Sequence, residues 1–377
     1  MEPALEEWVE NVRMLTESAG AVVPADGTLA RVRAARFTEP GFSREVWATI
    51  VEMGWLGICL GEEAGGYGLG LREAVALTGL LGKGLVPEPV IPATLALRLL
   101  EQAGADAIPG EVLAGESVLL AAWQATPDGL DPRAGVEVAD GRLTGTKIAV
   151  AGGAGADAFA VTTPVGVAVV PCDAEGLSVT PLLMHDGTFH ARLDFAAVPC
   201  AVLACPDMEA SLYEAVLLHA GYLLGLSEQA FEITLDYLRI RKQFEVPIGS
   251  FQALQHRATE IKVQLELARA AIGAAAAALD LRQDPARARM AVLRARTRAG
   301  GFARLVAREA IQMHGAIGYT DESDIGLYAK KALVEAGMFA PEFRLKERFM
   351  ALRDAAAASA TVPETAPAPA PETAGAE

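Results

Sequence analysis

Cysteine is scarce in this sequence: the 377 residues hold four, at positions 59, 172, 200 and 205. No two have CxxC or zinc-site spacing, so buried free thiols in a reducing, cytoplasmic setting are the expectation. Histidine is nearly as rare. His185, His190, His219, His256 and His314 show no ligand spacing either, and no metal site is expected. Positive charge is short as well: 32 Lys and Arg stand against 48 Asp and Glu, a net charge of −16. That balance argues against nucleic acid or an anionic membrane surface as a partner. Long apolar runs are missing. Stretches such as 201–205 and 270–279 are too short to span a bilayer. The acidic, periodic first fifteen residues are unlike a secretory or mitochondrial leader.

What is present is apolar and patterned. Hydrophobic residues make up 52% against 21% charged, enough for two or three packed units. Residues 1–116 read as an N-terminal helical domain, with Leu5, Trp8, Val9, Val12 and Leu15, then Val46, Ile50 and Met53, at helical spacing. Within it, residues 53–70 are dense in glycine and read as turns. No strand–helix alternation surrounds them, so a dinucleotide-binding loop is rejected. From 117 to 207 the period shortens. Runs at 118–122, 136–138, 142–143, 159–161, 166–170, 177–179 and 191–195 are separated by turn signals such as Asp140-Gly141 and Asp186-Gly187. They predict a small middle β-barrel or sandwich. Residues 208–355 return to helix, over 209–237, 251–281, 286–314 and roughly 325–352, as a C-terminal four-helix bundle. The Ala/Pro-rich 356–377 has little to bury and reads as a disordered tail. The fold class is thus mainly α with a small β domain.

One connector draws the eye. Pro247 cannot continue a helix, so residues 246–249 join two long helices, with Ser250 a fair N-cap for the second. Arg239, Arg241 and Lys242 precede the turn; Gln252, Gln255 and His256 follow it. Cations here either complement the helix dipole or bind an anion, since guanidinium groups hold phosphate bidentately.

The same residues carry a resemblance. Residues 241–248, with Phe251-Gln252 and Gln255-His256, resemble the R-x-Q-F-G-x-P-I…F-Q…Q-H signature of acyl-CoA dehydrogenases. Residues 312–320 are similar to that family's Q-x-H-G-G-x-G-x-T segment. Residues 54–70 resemble its G-W-L-G-x-x-x-P-E-E-Y-G-G-x-G segment on the substrate side, with Gly61 in place of Pro and Ala64 in place of Tyr. The resemblance implies an FAD enzyme of fatty acid or acyl-CoA catabolism. A Glu removes the α-proton of an acyl-CoA thioester, the β-hydride passes to flavin N5, and an electron-acceptor flavoprotein reoxidises the flavin. It implies that Arg241, Gln243 and Phe244 touch FAD, with Gln312, Gly315 and Gly318 on the facing subunit. It also implies a homo-oligomer, or a heterotetramer with a homologous subunit.

The sequence departs from that pattern in places that matter. The usual slot for the base falls near Phe339, where there is no carboxylate; Glu335 and Glu342 flank it at offsets that would turn them elsewhere. Some members place the base on the first bundle helix, and there Glu214, seven residues before Gly221, is the candidate. A first-turn Glu also has a bland explanation in the helix dipole. After Gly145-Thr146-Lys147, Ala149 and Ala151 stand where the family has a Trp against the flavin and a Thr. Residues 123–127 lack the family's T-E-x-x-x-G-S-D flavin contacts, and Glu245 replaces the Gly of R-x-Q-F-G. Such losses resemble the divergent bacterial branch containing pimeloyl-CoA dehydrogenase small subunits. The primary expectation is an acyl-CoA dehydrogenase. The alternatives are a non-catalytic partner subunit of a heteromer, or a flavin monooxygenase or oxidase of the same fold.

Overall fold

The computed structural model describes residues 3–104 and 108–360; of the expected tail, 356–360 prove to be helical and 361–377 lie outside the described residues. Six helices come first: α1 (Pro3–Ala19), α2 (Ala30–Ala35), α3 (Arg44–Glu52), α4 (Leu71–Lys83), α5 (Val90–Ala103) and α6 (Gly110–Leu113). Ser43 starts α3 by accepting from the Val46 N–H at 3.3 Å. Residues 53–70 are turns, as their glycines predict, with Gly54 and Gly65 in the left-handed region. The start of α4 is capped from far away in sequence: Asp280 accepts from the Leu71 and Arg72 N–H groups at 2.7 and 3.2 Å. That contact fastens the helical domain to the bundle.

Eight strands follow: β1 (Leu119–Ala122), β2 (Val136–Ala139), β3 (Arg142–Ala151), β4 (Ala158–Thr163), β5 (Gly166–Pro171), β6 (Leu177–Leu183), β7 (Phe189–Pro199) and β8 (Val202–Leu203). They form two four-stranded sheets, ordered β1-β4-β5-β8 and β2-β3-β7-β6. Only the β1–β4 pair is parallel among these. β3 runs eight residues past the expected 142–143. Two register shifts against β7 interrupt its alternation, and buried Lys147 lies between them, so the sequence hides a long strand. The Lys147 Nζ donates to the carbonyls of Trp123, Pro132 and Ala134 and to Thr162 Oγ1, at 2.7–3.1 Å. It ties the segment after β1 to the sheets.

The bundle consists of α7 (Met208–Ile240), a short hairpin of β9 (Lys242–Gln243) and β10 (Val246–Pro247), α8 (Gln252–Asp280), α9 (Pro285–His314), α10 (Ile325–Gly337) and α11 (Glu342–Ala360). Asp207 and Asp284 cap α7 and α9. Two expectations are corrected. Ser250 does not cap α8; its hydroxyl donates to the Pro247 carbonyl at 2.7 Å. The single last helix is two, because Pro341 cannot supply the N–H an unbroken helix needs. Phe339 and Ala340 turn the chain there through left-handed backbone, at φ 54° and 73°.

α4 and α7 cross backbone to backbone. A Cβ at Gly225 would collide with the Gly79 carbonyl, so that crossing requires glycine. One apolar core joins Trp47 and Ile50 of the first helices, Phe159 of the sheets and Ile272 of the bundle. Between these three layers a cavity remains. No helix among the described residues is long and apolar enough to cross a membrane.

Candidate functional site

Two regions gather the residues that the sequence singles out. The first is the rim at the end of α7. Arg241, Lys242, Gln243, Phe244 and Glu245 are all exposed, Phe244 by 87%. Phe244 and Glu245 form the two-residue turn between β9 and β10, both with positive φ, at 52° and 68°. A turn of that kind favours glycine at its second central position, the residue that Glu245 replaces. Ile248 N–H closes the hairpin on the Arg241 carbonyl at 2.8 Å. Arg239 is engaged with Asp236, whereas no carboxylate among the described residues pairs with Arg241 or Lys242.

The second motif sits beside the first on the same chain. Tyr237, one turn before Arg241, stacks on His314 with ring centroids 4.3 Å apart, and its hydroxyl donates to the His314 carbonyl. His314 Nδ1 lies 2.8 Å from the Ala310 carbonyl, so this ring is structural. Gln312 and Gly315 are exposed, and Gly318 is buried against Ile311. Within this chain the segment of Gln312, Gly315 and Gly318 lies beside the Arg241 hairpin through the Tyr237–His314 stack. With Phe244, exposed Ile240 and Tyr319 give this surface an apolar face.

The second region is a cavity of roughly 90 Å³. The α4–α5 connection, the end of β1, β3, the start of β7, α7 and α10 all contribute walls. Ala149 and Ala151 line it, so the wall where the resemblance expects an aromatic is bare. Trp123 and Phe339 take up the space instead, stacked at 5.5 Å and 12° from parallel. Phe339 also leans on His219, 5.1 Å away.

Beneath these rings lies a buried ionic cluster. Lys331 Nζ sits 2.7 Å from Glu335 Oε1 and 3.2 Å from Asp186 Oδ2. Glu335 Oε2 lies 2.7 Å from His219 Nε2. Against the opposing effect of burial, Lys331 and His219 hold the Glu335 carboxyl well below the usual carboxylate range. Glu335 and Asp186 in turn hold Lys331 well above its ordinary value. Burial pushes His219 and His190 down, so both rings are neutral at pH 7. Arg296 donates to the carbonyls of Glu335, Ala336 and Met338 at 3.1, 3.2 and 2.6 Å, fixing the chain as it leaves α10.

Sequence reasoning set Glu335 aside as flanking the slot; α10 carries it onto the cavity wall. Its i,i+4 spacing from Lys331 was the signal available. Glu342, the other flanking residue, pairs with Arg304 and Lys346 instead. Glu214 is not on the cavity wall. Arg98 grips it with two hydrogen bonds, Nε to Oε2 at 2.7 Å and Nη2 to Oε1 at 3.0 Å. Five residues separate Glu214 from His219 on α7, which turns them about 140° apart.

Similar proteins agree with this architecture. The family model for the N-terminal domain of acyl-CoA dehydrogenases matches residues 10–115, and that for the C-terminal domain matches 207–337. The acyl-CoA dehydrogenase IpdE2 of Mycobacterium tuberculosis is 32% identical over 331 residues, covering 86% of this chain and 91% of that protein. A solved Tcur3481-Tcur3483 steroid ACAD superposes with a TM-score of 0.84 at 28% identity, over 93% of this chain and 99% of that one. The ChsE4-ChsE5 complex from Mycobacterium tuberculosis gives 0.77 at 26% identity, over 94% and 98%. With these matches along nearly its whole length, the chain belongs to the acyl-CoA dehydrogenase family.

Proposed function

We propose that this chain is the non-catalytic subunit of a heteromeric, FAD-dependent acyl-CoA dehydrogenase. It completes the flavin site of a homologous partner that supplies the base. The observation that carries this reading is Phe339, stacked on Trp123 in the slot where the resemblance puts the catalytic carboxylate. A base must accept a proton near neutral pH. Glu335 is held ionised by Lys331 and hydrogen-bonded to His219, and Glu214 is clamped by Arg98. Neither is a free carboxylate beside an acyl group.

The chain's residues fit the outer half of a flavin site and not the inner one. The rim offers the unpaired Arg241 and Lys242 to an anion and exposed Phe244 to a flat apolar partner. The cavity wall offers two alanines where an aromatic would back the flavin ring. FAD, when bound at the shared site, accepts the hydride. Arg241 would neutralise its phosphate charge, Gln243 would supply amide hydrogen bonds, and Phe244 would exclude water. The segment holding Gln312, Gly315 and Gly318 stays aligned with them through the Tyr237–His314 stack. Because two relatives were solved as two-component assemblies, one of them a steroid ACAD, a bulky alicyclic acyl-CoA is the substrate class this reading favours.

The test is expression alone and together with a homologue that carries the base. Alone, the chain should purify without flavin absorbance. Together, the pair should be yellow and bleach anaerobically with an acyl-CoA. A yellow protein that bleaches alone would reject the proposal.

A further inference from the structure

Away from both the cavity and the rim, α9 and α11 leave an open groove of roughly 430 Å³ between them. Its lining is apolar at Leu293, Phe349 and Met350 and cationic at Arg294, Arg298 and Lys346. Met350 is 43% exposed there. Lys346 is engaged with Glu342 at 2.6 Å. Arg294 and Arg298, one turn apart on α9, are exposed, and no carboxylate among the described residues pairs with either. In a chain of net charge −16, two free guanidinium groups beside apolar side chains stand out. They suit an occupant that is both apolar and anionic.

The sequence that follows α11 has that composition. Residues 361–377 contain three Glu and no Lys or Arg, and the remainder are Thr, Val, Pro, Ala and Gly. P-E-T-A occurs in it twice, at 363–366 and 371–374, joined by P-A-P-A. Proline-rich segments lose little entropy on docking and are recognised in grooves with aromatic side chains. Length selects between the two copies. Along α11, Met350 and Lys346 lie about 15 and 21 Å back from Ala360. Glu364 is only about 12 Å of extended chain beyond Ala360, whereas Glu372 is about 37 Å beyond it, enough to turn back and span the groove. We propose that residues 367–374 dock in the α9–α11 groove of their own chain, with Glu372 against Arg294 and Arg298 and the prolines against Phe349 and Met350. Exposed ion pairs contribute little by themselves, and the covalent tether supplies an effective concentration on the order of millimolar. A contact too weak to hold a free peptide is therefore occupied within the chain.

The experiment uses the full-length chain with the photo-crosslinker p-benzoylphenylalanine in place of Ala370, and maps the cross-links by mass spectrometry. They should join position 370 to Met350, Phe349 or Leu293. An equal mixture of ¹⁵N-labelled and unlabelled chains should give no product of mixed isotope. Raising NaCl from 50 mM to 1 M should lower the yield at these sites about threefold or more, because the ion pairs are exposed. Glu372→Lys should lower it about fivefold, while Glu364→Lys leaves it within about twofold. Arg294→Glu together with Arg298→Glu should act like Glu372→Lys, and combining all three should restore the cross-link. Cross-links scattered over the surface, a mixed-isotope product, or a yield indifferent to Glu372→Lys would each overturn the proposal. Should the arginine variants fail to fold, Glu372→Lys lies beyond α11 and still decides. Neither flavin nor a partner subunit enters the measurement, so its outcome is independent of the co-expression test.

Discussion

The cavity and the rim are built by opposite rules. In the cavity, charge is neutralised within one chain: Lys331 serves Glu335 and Asp186, Glu335 serves His219, and aromatic rings fill the remaining space. At the rim, Arg241 and Lys242 stand unpaired beside Phe244, and Tyr319 is 84% exposed. In the first arrangement Lys331, Glu335 and Asp186 find their counter-charges within the chain. The second leaves apolar surface and cations in water, which a monomer has little reason to do. A chain whose cavity charges are paired and whose rim cations are not is suited to completing another molecule's site.

That contrast can be broken, most forcefully at Lys331. Replacing it with Met leaves two carboxylates buried without their cation, and stability should fall by about 3–5 kcal/mol in urea unfolding. An unchanged midpoint would mean that the cluster does not hold the cavity together.

Acid should have the next largest effect. His190 and His219 are kept neutral by burial, so the unfolded chain takes up protons that the folded one refuses as pH falls below about 6.5. Glu335 works in the same direction at lower pH. Its contribution is full above the ordinary carboxylate range and is lost as pH falls toward its depressed value. Each group contributes a slope of at most about 1.4 kcal/mol per pH unit. A folding free energy flat from pH 7 to pH 4 would contradict this.

Glu214→Gln separates structure from catalysis. It weakens a bidentate pair with Arg98 and should cost about 1–3 kcal/mol in thermal unfolding, with no change in substrate bleaching of the assembled heteromer. Loss of bleaching at unchanged stability would restore Glu214 as the base. Glu245→Gly relieves left-handed strain in the hairpin and should add about 0.5–1 kcal/mol. Smallest of all, Arg241→Ala should move the stability of the isolated chain by less than about 0.5 kcal/mol. Yet it should strip flavin from the heteromer during gel filtration. Retained flavin would show that the rim has another task.

Much of the fold was legible because its signals are local. Helical periodicity, Pro247 and the Val-rich runs each act over a few residues, and the long helices fall within a few residues of their expected ends. What was hidden depends on distant partners. The extension of β3 turns on a lysine that is tolerable inside only because four oxygens from the chain's own backbone and Thr162 surround it. The absence of a carboxylate at Phe339 could be read directly. That Trp123 would stack there, from more than two hundred positions away, could not. His219 shows no ligand spacing in the sequence, and its contact with Glu335 needed α7 and α10 packed together. The rim motifs were the easiest residues to find, because short patterns of unusual residues stand out. That the two segments pack together through Tyr237 and His314 needed three dimensions.

The grip of Arg296 on three carbonyls has an evolutionary consequence. It touches only backbone on the segment around Phe339, so it directs residue 339 toward the cavity whatever side chain stands there. The position works as a socket, with its orientation set by the frame and its chemistry left to a single codon. In a duplicated gene, a change at that codon could divide one ancestral enzyme into a chain that performs the reaction and a sister that supports it. The reverse change would begin from a scaffold already aimed.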